Sequence, residues 1–75
     1  MDIAKILGEN LKRIRGEKKL SQTDLAEKIG ADKGYISLLE NGKKNPTLST
    51  TEKIARALGA SSNMLLARIL PTGPV

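Results

Sequence analysis

The chain is 75 residues long, with thirteen Lys and Arg against eight Asp and Glu, no Cys, no His and a single aromatic residue. That length holds one domain with a small core. Without Cys or His there is no disulfide, no usual zinc ligand set and no common nucleophile–base pair, so we expect no enzyme, no metal and no cofactor.

In chain order, Ile3, Leu7, Leu11 and Ile14 recur at spacings of four, four and three and predict an amphipathic helix from about Ile3 to Lys18, with Lys5, Lys12 and Arg13 facing solvent. Ser21-Gln22-Thr23-Asp24 reads as a capping box, which starts a second short helix burying Leu25, Ala26 and Ile29. Gly30 stops it, since glycine takes the left-handed conformation readily. Asp32 is the expected cap of a third helix, closed by Asn41-Gly42. Pro46-Thr47 opens a fourth helix with Leu48, Ile54, Ala55 and Leu58 inward and Gly59 at its end. Ser61 should cap a fifth, running to about Leu70, where Pro71 blocks extension. No stretch shows strand alternation. The expected architecture is a compact all-α domain of five helices over residues 1–75, with helix 5 and the tail at about 61–75.

Two short helices joined through Gly30 form a helix-turn-helix over about residues 21–41, a unit whose second helix can enter the major groove of DNA. At steps of about 100° per residue, Ile36, Leu39 and Glu40 fall on one side of helix 3 and Lys33, Gly34, Ser37, Leu38 and Asn41 on the other. The second set is fit to meet base edges. Lys33 can donate to guanine or to a phosphate, Ser37 can donate or accept, Gly34 permits close approach, and Leu38 can meet a thymine methyl. A solvated helix face is the plainer reading, but it explains an outward Leu poorly. The net charge of +5 favours a polyanion. Because single-strand readers stack bases on several aromatic side chains, a lone Tyr35 points to double-stranded DNA.

The stretch LSQTDLAEKIGADKGYISLLENGKKNPTLSTTEKIARALG resembles the lambda-repressor/Cro type of helix-turn-helix, the XRE family, through LSQTDLA, the turn Gly30, Tyr35-Ile36-Ser37, Glu40-Asn41-Gly42 and NPTL before KIARALG. The resemblance implies a transcriptional regulator in which Lys33, Gly34, Ser37 and Leu38 face bases. It further implies that Gln22, Tyr35, Asn41, Lys43 and Lys44 hold the DNA backbone, and that Arg15 pairs with Glu40. Departures from the family pattern are Lys19 where Gly is common, Thr51 and Ser62 where apolar residues are common, and Met64 in place of an aromatic residue. Lys19 puts the last turn of helix 1 in question.

A core this small suggests self-association. Met64, Leu65, Leu66, Ile69 and Leu70 make helix 5 apolar on more than one side, and Met64, Leu65, Ile69 and Leu70 are expected at the interface of a symmetric homodimer bound to a pseudo-palindromic operator as a repressor. Only Met1 and Asp2 precede helix 1, so readout is expected from helix 3 alone. With no signal-peptide pattern and no membrane-length apolar run, the expected location is the cytoplasm. RNA polymerase or a cognate toxin is a further candidate partner. The rival function is a protein-interaction module, of antitoxin or antirepressor-partner type, using the same fold.

Overall fold

Five α-helices follow one another among residues 2–69, which the computed structural model of the chain describes: α1 (Ile3–Glu17), α2 (Gln22–Ile29), α3 (Lys33–Glu40), α4 (Leu48–Leu58) and α5 (Ser62–Leu65). Local chemistry starts most of them. Asp2 accepts from the Lys5 amide at 3.1 Å, Thr47 from Thr50 at 3.1 Å and Ser61 from Met64 at 3.4 Å. Ser21 and Asp24 form both bonds of the capping box, at 2.9 and 3.0 Å. Asp32 holds the cap position of α3 but makes no side-chain capping bond; the first turn closes on its carbonyl instead, which accepts from Tyr35 and Ile36.

The first four helices end alike. A residue in the left-handed conformation turns the chain, and the amide after it reaches the carbonyl five residues back: Leu20 to Arg15, Ala31 to Ala26, Lys43 to Leu38 and Ala60 to Ala55, at 2.8–3.1 Å. Glycine fills the turning position three times, as Gly30, Gly42 and Gly59, and Lys19 fills it at the end of α1 with φ of +58°. Helix 1 therefore stops at Glu17, with Lys19 ending it as a glycine would.

The core joins Leu7, Leu11 and Ile14 of α1 to Leu25, Ala26, Ile36, Leu39, Ile54, Ala55, Leu58 and Leu65. α1 packs on α3 and α5, α2 on α3 and α4, and α4 on α5. At Gly8, α1 and α3 approach so closely that a β-carbon would lie 2.8 Å from the Glu40 carbonyl oxygen. Two residues expected inward lie outside. Ile3 is 51% and Leu48 80% exposed, since the first turns of α1 and α4 extend past the edge of the core. Thr51 is buried, and its hydroxyl donates to the Thr47 carbonyl at 2.9 Å, which satisfies the polar atom where an apolar side chain is common.

Helix 5 is much shorter than its apolar pattern predicts, and a distant side chain explains why. Asn10 of α1, fully buried, donates from Nδ2 to the carbonyls of Leu65 and Ala67 at 2.9 and 2.8 Å. In a continuous helix those carbonyls would accept from the amides of residues 69 and 71; residue 71 is Pro, which has none. Ile69 bonds to Leu66 instead, and Arg68 takes φ of +70°.

Candidate nucleic-acid interface

The two helices of the helix-turn-helix are locked by one polar hub. Arg15 on α1 grips Glu40, the last residue of α3, through Nε to Oε2 at 2.6 Å and the guanidinium Nη2 to Oε1 at 3.1 Å. The third donor of the fork, Nη1, reaches the Leu20 carbonyl at 2.7 Å, just before α2. Gln22, at the start of α2, completes the set with Nε2 to Glu40 Oε1 at 3.1 Å. The Glu40 side chain is almost fully buried, and among the described residues no buried side-chain nitrogen or oxygen lacks a hydrogen-bond partner. The hydrogen bond to Glu40 raises the Arg15 pKa above its ordinary value; burial opposes that and the opposite charge adds to it.

Against this hub, α3 turns Ile36 and Leu39 into the core and leaves Lys33, Gly34, Leu38 and Asn41 exposed, with Ser37 half-buried beside them. Leu38 is 42% exposed. A β-carbon at Gly34 would touch nothing within 4 Å, so packing does not require a glycine there. Asn41 folds back along the helix, donating from Nδ2 to the Ser37 carbonyl at 2.9 Å and to its hydroxyl at 3.3 Å. Lys44 places Nζ 5.4 Å from the centre of the Tyr35 ring, a cation–π contact that ties the basic loop to α3. Lys43 is exposed. Lys33, Ser37, Leu38, Asn41, Lys43 and Lys44 thus belong to one helix and the loop after it, with Gln22 at the edge, held inward by Glu40.

The family model for HTH_3, helix-turn-helix, matches residues 11–65, and this is the part of the chain that carries the hub and the outward face of α3. The chain belongs to the helix-turn-helix family HTH_3. It is 43% identical over 61 residues to the HTH-type transcriptional regulator y4dJ of Sinorhizobium fredii, covering 81% of this chain and 79% of the relative. It is 44% identical over 68 residues to the control protein C.SmaI of Serratia marcescens, covering 91% and 81%. In structure it is similar to the restriction-modification controller protein C.AhdI from Aeromonas hydrophila, with a TM-score of 0.80 and 34% identity over 83% of this chain and 94% of that one. This helix-turn-helix protein is a sequence-specific DNA-binding transcriptional regulator of a family of regulators rather than enzymes. Among the described residues no helix is long and apolar enough to cross a membrane.

The expected interface residues of helix 5 divide. Leu65 is 1% exposed and belongs to the core, because Asn10 draws its backbone onto α1. Ile69 is half-buried against the core, Met64 is exposed, and Leu70 lies outside the described residues. Sequence reasoning missed Asn10, although it stands with Leu7, Leu11 and Ile14 at i, i+3, i+4 and i+7 spacing. A polar residue in an apolar stripe is a legible sign of a buried clamp.

Proposed function

We propose that this regulator binds a pseudo-palindromic operator as a homodimer, with α3 of each copy in the major groove, and represses by occupying a promoter. The observation that carries the reading is the outward face of α3. Lys33, Gly34, Ser37 and Leu38 lie together on a helix whose other side is fixed by Ile36, Leu39 and the Arg15–Glu40 pair, and Leu38 is left 42% exposed. A helix anchored so firmly can present side chains to base edges without first ordering them. Gln22, Tyr35, Asn41, Lys43 and Lys44 hold the backbone in this reading. Each lysine–phosphate contact steepens the salt dependence of affinity by about 0.9 in log–log slope.

Selection of sites from random duplex DNA tests the assignment of bases. Leu38→Gln should move preference from T towards A at one position with the fold intact, since Leu38 is outside the core; an unchanged selected site removes Leu38 from readout. Met64→Asp tests the dimer at an exposed position and should give monomers by sedimentation. Half-sites about one helical turn apart, or a multiple of it, should appear in the selected sequences. The rival protein-interaction role predicts affinity for a protein that salt barely affects and no selected duplex.

A further inference from the structure

The end of α1 contains a conformational oddity. Four helices close with the same left-handed turn; three use glycine, and the fourth uses Lys19. Side chains with a β-carbon are disfavoured in that conformation, and glycine would serve the turn better. The lysine does nothing visible for the fold in return. Its side chain is exposed and forms no ion pair among the described residues.

Its position is nevertheless fixed. Lys19 precedes Leu20, whose carbonyl is held at 2.7 Å by Arg15, the same guanidinium that holds Glu40 at the end of α3. Gln22, two residues further on, bonds the same Glu40. The hub therefore holds the 19–22 turn against the C-terminal end of α3, from which the loop that carries Lys43 and Lys44 continues. Lys19 is the unpaired cation of the first segment.

We infer that Lys19 is a further phosphate-binding residue of the DNA interface, set at its α1–α2 edge by the left-handed turn and by the Arg15 anchor. The inference rests on the docking of α3 proposed above. Lys19 adds a contact to the sugar–phosphate chain and reads no base, so its loss should weaken specific and non-specific duplexes alike.

The test is a pair of measurements with opposite signs on full-length Lys19→Gly. Thermal unfolding should shift upward by a few degrees, because glycine relaxes the turn. Affinity for a labelled random-sequence duplex, followed across salt, should lose about 0.9 of its log–log slope per protomer, or about 3.5-fold less affinity lost between 50 and 200 mM. Lys19→Arg should keep the parent slope. A stabilised Lys19→Gly with the parent slope would overturn the inference while leaving α3 docking intact. A parent chain with no salt-dependent affinity for any duplex would overturn the docking itself, and this inference with it. A destabilised Lys19→Gly would show that the lysine serves the fold, which also overturns it.

Discussion

The two ends of the domain are held by different polar groups, a buried ion pair at one and a buried amide at the other. At the helix-turn-helix end, the end of α3 is fixed by a charged set, Arg15, Glu40 and Gln22, with an Arg15 bond to the Leu20 carbonyl and the Ser21–Asp24 capping box beside it. At the C-terminal end, Leu65 packs α5 into the core and one buried side chain, Asn10, holds backbone carbonyls across 55 and 57 residues of sequence. The first arrangement fixes the direction of a helix; the second shortens one. If α3 docks as proposed, the polar groups that need to be rigid are those near α3, while the segment with the exposed Met64 carries no such demand.

The contrast breaks most sharply at Glu40. Glu40→Ala strands the Arg15 guanidinium and frees Gln22, and removal of one partner from a buried pair costs about 3–5 kcal/mol. A domain of this size has a total stability of roughly 0.05–0.15 kcal/mol per residue. The variant should lose about 3–5 kcal/mol in urea and melt well below the parent by circular dichroism. A loss under 1 kcal/mol in urea would mean that the hub is not what fixes α3.

Asn10→Ala should come second, at about 1–3 kcal/mol, because two carbonyls lose their donor in a buried place. Its signature is local. Amide exchange should quicken over residues 62–69 while α2 and α3 keep their protection. Equal loss of protection in α3 would show that the two ends are one cooperative unit and that the distinction drawn between them is false.

Smaller again is Gly34→Ala, which sharpens the comparison at the outward face of α3. A β-carbon at Gly34 meets nothing, and alanine at this first-turn position of α3 should stabilise by less than the roughly 0.5–1 kcal/mol that replacing a mid-helix glycine gives. If α3 approaches DNA as proposed, the same methyl should lower affinity for the selected operator. A gain in stability with unchanged affinity would place Gly34 away from the groove floor.

These differences also explain what was legible in the sequence. Ser21-Gln22-Thr23-Asp24 and Gly30 announce α2 because a capping box and a left-handed stop are local chemistry, complete within a few residues. The phase of α3 was legible for the same reason: Ile36 and Leu39 against Lys33 and Leu38 is a matter of helical pitch. Periodicity does not say where a core ends, so Ile3 and Leu48, correctly phased, lie past its edge. The length of helix 5 depends on Asn10, far away in sequence, and an apolar row on α5 looks the same whether it covers a core or a partner. Leu65 therefore reads as an interface residue in sequence while it lies in the core. The roles of Lys33, Ser37 and the other proposed contacts rest on the DNA itself, which the selected-site and salt experiments supply.

The smallest effect expected is a pH dependence seated in the capping box. The Asp24 carboxylate accepts the Ser21 amide at 3.0 Å, and that backbone hydrogen bond, followed by the bond between Asp24 and Ser21 at side-chain level, holds its pKa below the ordinary value of 3.8. Burial opposes this, and the charge of Lys28 adds slightly to the lowering. A carboxylate whose folded pKa is depressed stabilises the fold above its unfolded pKa and loses that contribution as pH falls through the folded value. The window thus opens near the ordinary carboxylate range and closes below it, in the opposite sense to a cation that gains a partner. Urea midpoints of the parent should fall between pH 6 and pH 3 by more than those of Asp24→Asn, which keeps a hydrogen-bond acceptor but cannot titrate. The other carboxylates are common to both proteins and cancel in the comparison. Identical falls in the two would mean that the cap bond persists with the protonated acid, and that titration of Asp24 contributes nothing to the hold on α2.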